Sequence, residues 1–173
     1  MDPLNEPTIR EARPSDRAAL EMLRLQLQSH TEASSPWIWH VTEEGREKLR
    51  REVDLMLSDG DGRVLVAERK GSIVGYAYGR VSHRAEYTPR VVGFINGIYV
   101  RDSHRRQRSG TRLVHELCKF FMARDVEEVN LRYILGNREA ERFWSSLGLR
   151  PIIATANIRL RDLEGRIAKA ARP

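Results

Sequence analysis

The chain has 173 residues, 40% hydrophobic and 31% charged, with a net charge of +6. That is the composition of an ordinary globular domain, long enough to bury a core without disulfides or metals. It excludes a collagen-like or low-complexity chain, and no apolar run approaches the length of a membrane span.

The charged stretch from Met1 to Arg13 does not read as a signal peptide, and the one cysteine, Cys118, cannot form an internal disulfide. Both features lead to an expectation of cytoplasmic localisation, with no membrane partner. Lysine occurs only at Lys48, Lys70, Lys119 and Lys169, so arginine carries most of the positive charge. Arginine forks suit phosphate recognition, which favours an anionic ligand. A basic balance also fits nucleic acid. The aromatic residues do not interleave with the arginines, however, and no helix-turn-helix or zinc spacing occurs, so a nucleic-acid partner is not expected. No metal site is expected either.

Residues 7–12 read as a first strand. Ser15 then stands as an N-cap before Leu20, Leu23 and Leu27, which recur at helical spacing and predict a helix to about His30. Residues 31–41 read as a loop with Ser34, Ser35 and Pro36, followed by Trp37 and Trp39. Thr42 with Glu43, Glu44 and Gly45 opens a second helix, whose buried stripe is Leu49, Val53, Met56 and Leu57. Asp59-Gly60-Asp61-Gly62 is a strong turn signal. Residues 63–70 read as a strand apolar on both faces, Lys70-Gly71 as a hairpin turn, and 73–81 as the return strand.

A polar loop at 82–90 leads into a long strand at 91–100. The run Arg105-Arg106-Gln107-Arg108-Ser109-Gly110-Thr111 follows, immediately before a helix with Leu113, Val114, Leu117 and Phe121 on one face. The first N–H groups of a helix have no partner within it and carry the positive end of its dipole, so this turn is a candidate phosphate cradle. Cys118 lies on the apolar side of that helix and reads as a small core residue. Residues 126–135 read as the next strand. Asn137 then caps a helix with Ala140, Phe143, Trp144 and Leu147 at i, i+3, i+4, i+7 spacing, closed by Gly148. Residues 151–160 read as a final strand and 161–173 as a basic, mobile tail. The order predicts a single domain of mixed α/β class. Its sheet has six to seven mostly antiparallel strands and a β-α-β crossover, flanked by about four helices.

Two local patterns resemble the GNAT superfamily of N-acetyltransferases. Ile98-Tyr99-Val100 followed by the arginine-rich turn is similar to the family's acyl-CoA loop, Gln/Arg-x-x-Gly-x-Gly/Ala, with Arg105 at its first position and Gly110 at its last. Asn137-x-x-Ala140-x-x-Phe143-Trp144-x-x-Leu147-Gly148-Leu149 is similar to the family's late helix. The element order matches over residues 9–160. The resemblance implies transfer of an acetyl group from acetyl-CoA to a primary amine of a small molecule or protein. Under it, the pyrophosphate falls to Arg108, Ser109, Gly110 and Thr111, helped by the side chains of Arg105 and Arg106. Ile98, Tyr99 and Val100 would pair with the pantetheine amides, Asn137 would reach the cofactor, and Phe143 and Trp144 would wall its tunnel. An acceptor lip would come from Trp37, Trp39 and Tyr87, with Glu43, Glu44 and Glu86 drawing in a cationic amine. Homodimers occur in the family, and Ile152, Ile153 and Ile158 are candidates for a dimer edge.

Three departures bear on the mechanism. Arg108 stands where the family loop has its first glycine, and its side chain either obstructs the phosphate or pairs with it. Trp144 stands where many relatives carry a tyrosine that protonates the thiolate, and an indole N–H cannot do so. The strand 91–100 holds no carboxylate, whereas many relatives place a general-base glutamate there. Asn96, holding a water, is then the catalytic candidate on that strand, with His83, Glu86 and His104 near its ends and Tyr133 as a spare general acid. A lysine-like amine is neutral in only about one molecule in a thousand at physiological pH, equivalent to ~4 kcal/mol that a base or desolvation must help to cover. The departures also support an alternative, a degenerate member of the fold that binds acyl-CoA or a partner without transfer.

Overall fold

A computed structural model describes residues 6–35 and 37–170; expectations that touch residues 1–5, 36 and 171–173 lie outside the described residues. Five strands, β1 (Thr8–Glu11), β2 (Gly62–Arg69), β3 (Ser72–His83), β4 (Val91–Val100) and β5 (Glu128–Leu131), lie side by side in chain order. Neighbours are antiparallel except β4 and β5, which run parallel. The helices are α1 (Arg17–Ser34), α2 (Glu43–Ser58), α3 (Ser109–Met122), α4 (Arg138–Ser146) and α5 (Leu160–Ala170). The chain divides at Arg138/Glu139 into two compact units. No described helix is long and apolar enough to cross a membrane.

In the first unit the two-residue period of β2 and β3 sorts side chains between two faces. Val64, Val66 and Tyr76 pack with Leu20 and Leu23 of α1 and Val53 and Met56 of α2 in one buried cluster. The opposite face carries α3. There Gly79 and Gly93 leave room for the Phe121 ring, since an added Cβ would stand 2.7 Å and 3.0 Å from it. Leu113, Leu117 and Phe121 of α3 are almost fully buried. The first strand is tied down by charge. Arg10 bonds Asp16 at 2.7 Å and Glu68 at 2.7 Å, and Asp16 also accepts the Arg13 N–H at 2.7 Å. The Arg10 guanidinium holds the Asp16 carboxyl below the usual carboxylate range despite its burial. Asp16 thus occupies the start of α1, where Ser15 was expected as cap.

Several expectations hold closely. Thr42 caps α2 by accepting the Gly45 N–H, Lys70-Gly71 turns the hairpin with both φ angles positive, and Gly148 follows α4 at φ 86°. Others are corrected. Among the described residues the sheet has five strands rather than six to seven, and there are five α-helices rather than about four. Residues 151–159 form no strand but an exposed segment without regular structure. Ile152, Ile153 and Ile158 give it strand propensity, but a strand exists only through its ladder partner, and none pairs with it among the described residues. The expected tail is helical from Leu160 to Ala170: helix-forming residues surround Leu160, Leu163 and Ile167, with Asp162 in the first turn and Lys169 in the last. The fifth strand is four residues long instead of ten, for a reason that also builds the site.

Candidate functional site

The register between β3 and β4 slips at one point. Tyr78 opposes Gly97 and Gly79 opposes Ile95, so Asn96 is an extra, bulged residue. Bulges bend a strand and increase its twist. On its other edge β4 pairs with β5 only from Val92 to Ile95, and the parallel ladder stops at the bulge. From Asn96 to Val100 no strand lies beside that edge of β4 among the described residues, and the Val100 carbonyl at its end accepts from Arg105. Ile98 and Tyr99 are half-buried and Val100 is buried.

The arginine-rich turn lies directly after this open edge. A short 3-10 turn, Asp102–His104, leads into it. Arg106 (φ 60°) and Arg108 (φ 61°) both adopt the left-handed conformation, and Arg108 is the residue on which α3 begins. Arg108 therefore takes up the backbone conformation that glycine adopts most easily, and its exposed side chain makes no hydrogen bond or ion pair among the described residues. The first N–H groups of α3, from Ser109, Gly110 and Thr111, have no partners within the helix. The Ser109 hydroxyl is buried and also lacks a partner among the described residues. A turn of backbone donors at a helix start, flanked by guanidinium groups, fits a phosphate chemically.

Arg105 is held differently from Arg106 and Arg108. Its Nε donates to the Val100 carbonyl at 2.9 Å, one Nη lies 2.8 Å from Asp102, and its guanidinium stacks 5.3 Å above the Tyr99 ring. It ties the end of β4 to the loop. Burial, and Asp102 after it, raise the pKa of the Tyr99 hydroxyl above its ordinary value.

On the α1/α2 side of the sheet a cleft of about 500 Å³ is lined by Arg24 of α1, Glu52 and its neighbours on α2, Asp59, Tyr78 and Arg80 of β3, and the bulged Asn96. The Tyr78 hydroxyl donates to Asp59 Oδ2 at 2.5 Å, and Arg80 Nε approaches the same oxygen at 3.4 Å. Asp59 Oδ1 accepts the Asp61 N–H at 3.1 Å. Burial, reinforced by the Asp59 carboxylate, pushes the Tyr78 hydroxyl well above its ordinary pKa, so it remains a proton donor at neutral pH. Arg24 donates to Glu52 at 2.8 Å. The bulge thus brings one residue expected from the sequence, Asn96, together with five that were not singled out. The signal for two of these was present, since Tyr78 and Arg80 alternate on the strand face shared with Tyr76. Asp59 was hidden inside its turn signal.

Other expected residues lie elsewhere. Trp37, Trp39 and Tyr87 are 80%, 68% and 65% exposed and do not line the cleft. Tyr87 stacks under Arg84. Glu43 and Glu44 occupy the exposed first turn of α2, His83 and Glu86 are exposed, and His104 bonds Ser103 at 2.8 Å. Tyr133 is half-buried just beyond β5, and its hydroxyl makes no hydrogen bond among the described residues. Asn137 is half-buried immediately before α4, its N–H bonded to the Ile134 carbonyl. In the second unit Phe143 and Trp144 meet edge to face at 4.8 Å, and Trp144 is buried. Cys118 is half-buried rather than in the core, and that burial raises the pKa of its thiol. Among the described residues no cluster of His, Cys, Asp and Glu could hold a metal.

Comparison with solved structures gives the same architecture. A tetramutant of the BH1408 protein from Bacillus halodurans is similar with a TM-score of 0.75 at 20% identity, covering 88% of this chain and 99% of that one. Aminoglycoside N-acetyltransferase AAC(6')-Iy in complex with CoA gives 0.72 at 16% identity, covering 91% and 96%. Aminoglycoside 6'-N-acetyltransferase AAC(6')-IG from Acinetobacter haemolyticus gives 0.70 at 18%, covering 88% and 97%. No curated protein matches the chain. The model of the acetyltransferase (GNAT) family matches residues 21–149, three quarters of the length and every element from α1 to α4, and the chain therefore belongs to the GNAT family of acetyltransferases.

Proposed function

We propose that this protein transfers the acetyl group of acetyl-CoA to a primary amine of a small molecule or protein by direct attack of the neutral amine. The observation that carries the reading is the parting of β4 from β5 at the Asn96 bulge, directly before the left-handed turn that opens α3. Acetyl-CoA supplies an activated thioester. The backbone donors of Arg108, Ser109, Gly110 and Thr111 hold its pyrophosphate, with Arg106 and Arg108 contributing charge. Arg105 fixes the turn rather than reaching outward. The open edge at Ile98, Tyr99 and Val100 pairs with the pantetheine amides, and Asn137 reaches the cofactor.

The amine enters the cleft on the other side of the bulge. Asp59 is the carboxylate that takes its proton, a role the sequence left without a carboxylate on β4. Tyr78 cannot act as that base, because its own proton is held too tightly. Asn96 orients water or the amine at the bulge, and Tyr133 is the candidate for returning a proton to the thiolate. Trp37, Trp39 and Tyr87 act, if at all, on a larger acceptor outside the cleft. A homodimer is part of the proposal. Ile152, Ile153 and Ile158 with Leu160, Leu163 and Ile167 leave more apolar surface exposed than a lone terminal segment tolerates well.

Calorimetric titration with acetyl-CoA, followed by thiol release across an amine panel, tests the reading. Micromolar binding with turnover supports it. No binding at millimolar acetyl-CoA overturns it. Binding without turnover on any amine favours the non-transferring alternative, to which the tryptophan at position 144 also points.

A further inference from the structure

The cleft beside Asn96 carries four charges that cancel. Arg24 and Arg80 face Glu52 and Asp59, so the site as a whole is neutral. A polycationic acceptor gains most from an excess of carboxylates, because each added ammonium needs a counter-charge once it leaves water. This cleft has no such excess.

The two ion pairs are not alike. Arg24 and Glu52 are both largely buried and meet at 2.8 Å. Arg80 has a side chain 48% exposed, and its only ion pair among the described residues is the 3.4 Å approach to Asp59 through Nε. Its two terminal nitrogens make no hydrogen bond among the described residues. Asp59 already accepts the Tyr78 hydroxyl on Oδ2 and the Asp61 N–H on Oδ1, so it has hydrogen-bond partners besides Arg80. The Arg80 fork is thus set at the rim, with the carboxylates beside it, and a planar carboxylate is the group that completes such a fork with two parallel hydrogen bonds.

We infer that the acceptor is a zwitterion: a primary amine carrying a carboxylate, of amino-acid size, with its amine towards Asp59 and Glu52 and its carboxylate on Arg80. The inference rests on the reading of this cleft as the acceptor side of an acyltransferase. It sets this protein apart from an enzyme built for polyamines or polycationic sugars.

The test is calorimetry with matched pairs, an ω-amino acid and the ω-amino amide of the same chain length, together with a linear polyamine. Each is titrated with and without CoA. The amine pKa is nearly equal within a pair, so the ratio reports the carboxylate alone. The amino acid is expected to bind about tenfold or more tighter than its amide, the range of a hydrogen bond to a charged group. Arg80→Gln should bring that ratio towards one, and Arg80→Lys should restore part of it. A variant that lost the ratio by misfolding would show a lowered melting temperature, which a half-exposed side chain should not cause. Equal or tighter binding of the amide or polyamine, a ratio that survives Arg80→Gln, or no binding by any of them would overturn the inference. Failure of the acyltransferase reading is seen separately, as absent binding of acetyl-CoA.

Discussion

Replacing Arg108 with glycine separates what its backbone does from what its side chain does. Arg108 sits at φ 61°, ψ 4° on the residue from which α3 starts. A residue with a Cβ in that conformation costs about 1–2 kcal/mol, and glycine escapes this cost. Glycine also adds freedom to the unfolded chain, worth about 0.4–1 kcal/mol in the opposite direction. The guanidinium makes no ion pair among the described residues, and the bond from the Arg112 N–H to the Arg108 carbonyl, 2.9 Å, is backbone to backbone and survives. The balance is a stabilisation of about 0.5–1 kcal/mol, a rise of roughly 1–4 °C in melting temperature for a chain of this size. Acetyl-CoA should nonetheless bind about tenfold more weakly, since one charge-assisted contact to phosphate is gone. Urea unfolding and calorimetry on the same preparations measure both. A melting temperature lowered by about 2 °C or more would refute the account of the backbone. Tighter acetyl-CoA binding would show that the Arg108 side chain obstructs the phosphate rather than holding it.

Gly79→Ala should destabilise the protein by about 1–3 kcal/mol in urea unfolding, because the new Cβ would stand 2.7 Å from the Phe121 ring. Asp59→Asn keeps an acceptor for the Tyr78 hydroxyl but cannot take a proton. It should lower kcat about a hundredfold or more for strongly basic amines and less for weakly basic ones, read from initial rates across amines of graded pKa. Equal losses for all amines would remove Asp59 from the role of base. Glu32 is held down to about 2 by the Gln28 amide and the Val41 N–H, with His40 beside it at 3.3 Å. A depressed carboxylate supports the folded loop above its ordinary value near 4.5 and loses that support as pH falls towards 2. Fluorescence of Trp37 and Trp39 should therefore hold steady to pH 4 and change below it, whereas Glu32→Gln should show a perturbed signal already at neutral pH.

The sequence by itself determined the first four α-helices, the hairpin and the order of elements from β1 to α4, because these depend on local periodicity and on turn and cap residues that act within a few positions. Leu20, Leu23 and Leu27, the Thr42 cap, Lys70-Gly71 and Gly148 each state their conformation locally. The basic turn that opens α3 was legible for the same reason, since it is one contiguous run before one helix. Strand number and length were not, because a strand is defined by its neighbour: residues 151–159 have the propensity but join no sheet among the described residues, and β5 ends where β4 bulges. The cleft was hidden more deeply still. Arg24, Glu52, Asp59, Arg80 and Asn96 come from four separate stretches of chain, α1, α2 with its C-cap, β3 and β4. Each reads alone as an ordinary polar surface residue, and only the packing of α1 and α2 on the sheet makes them one site.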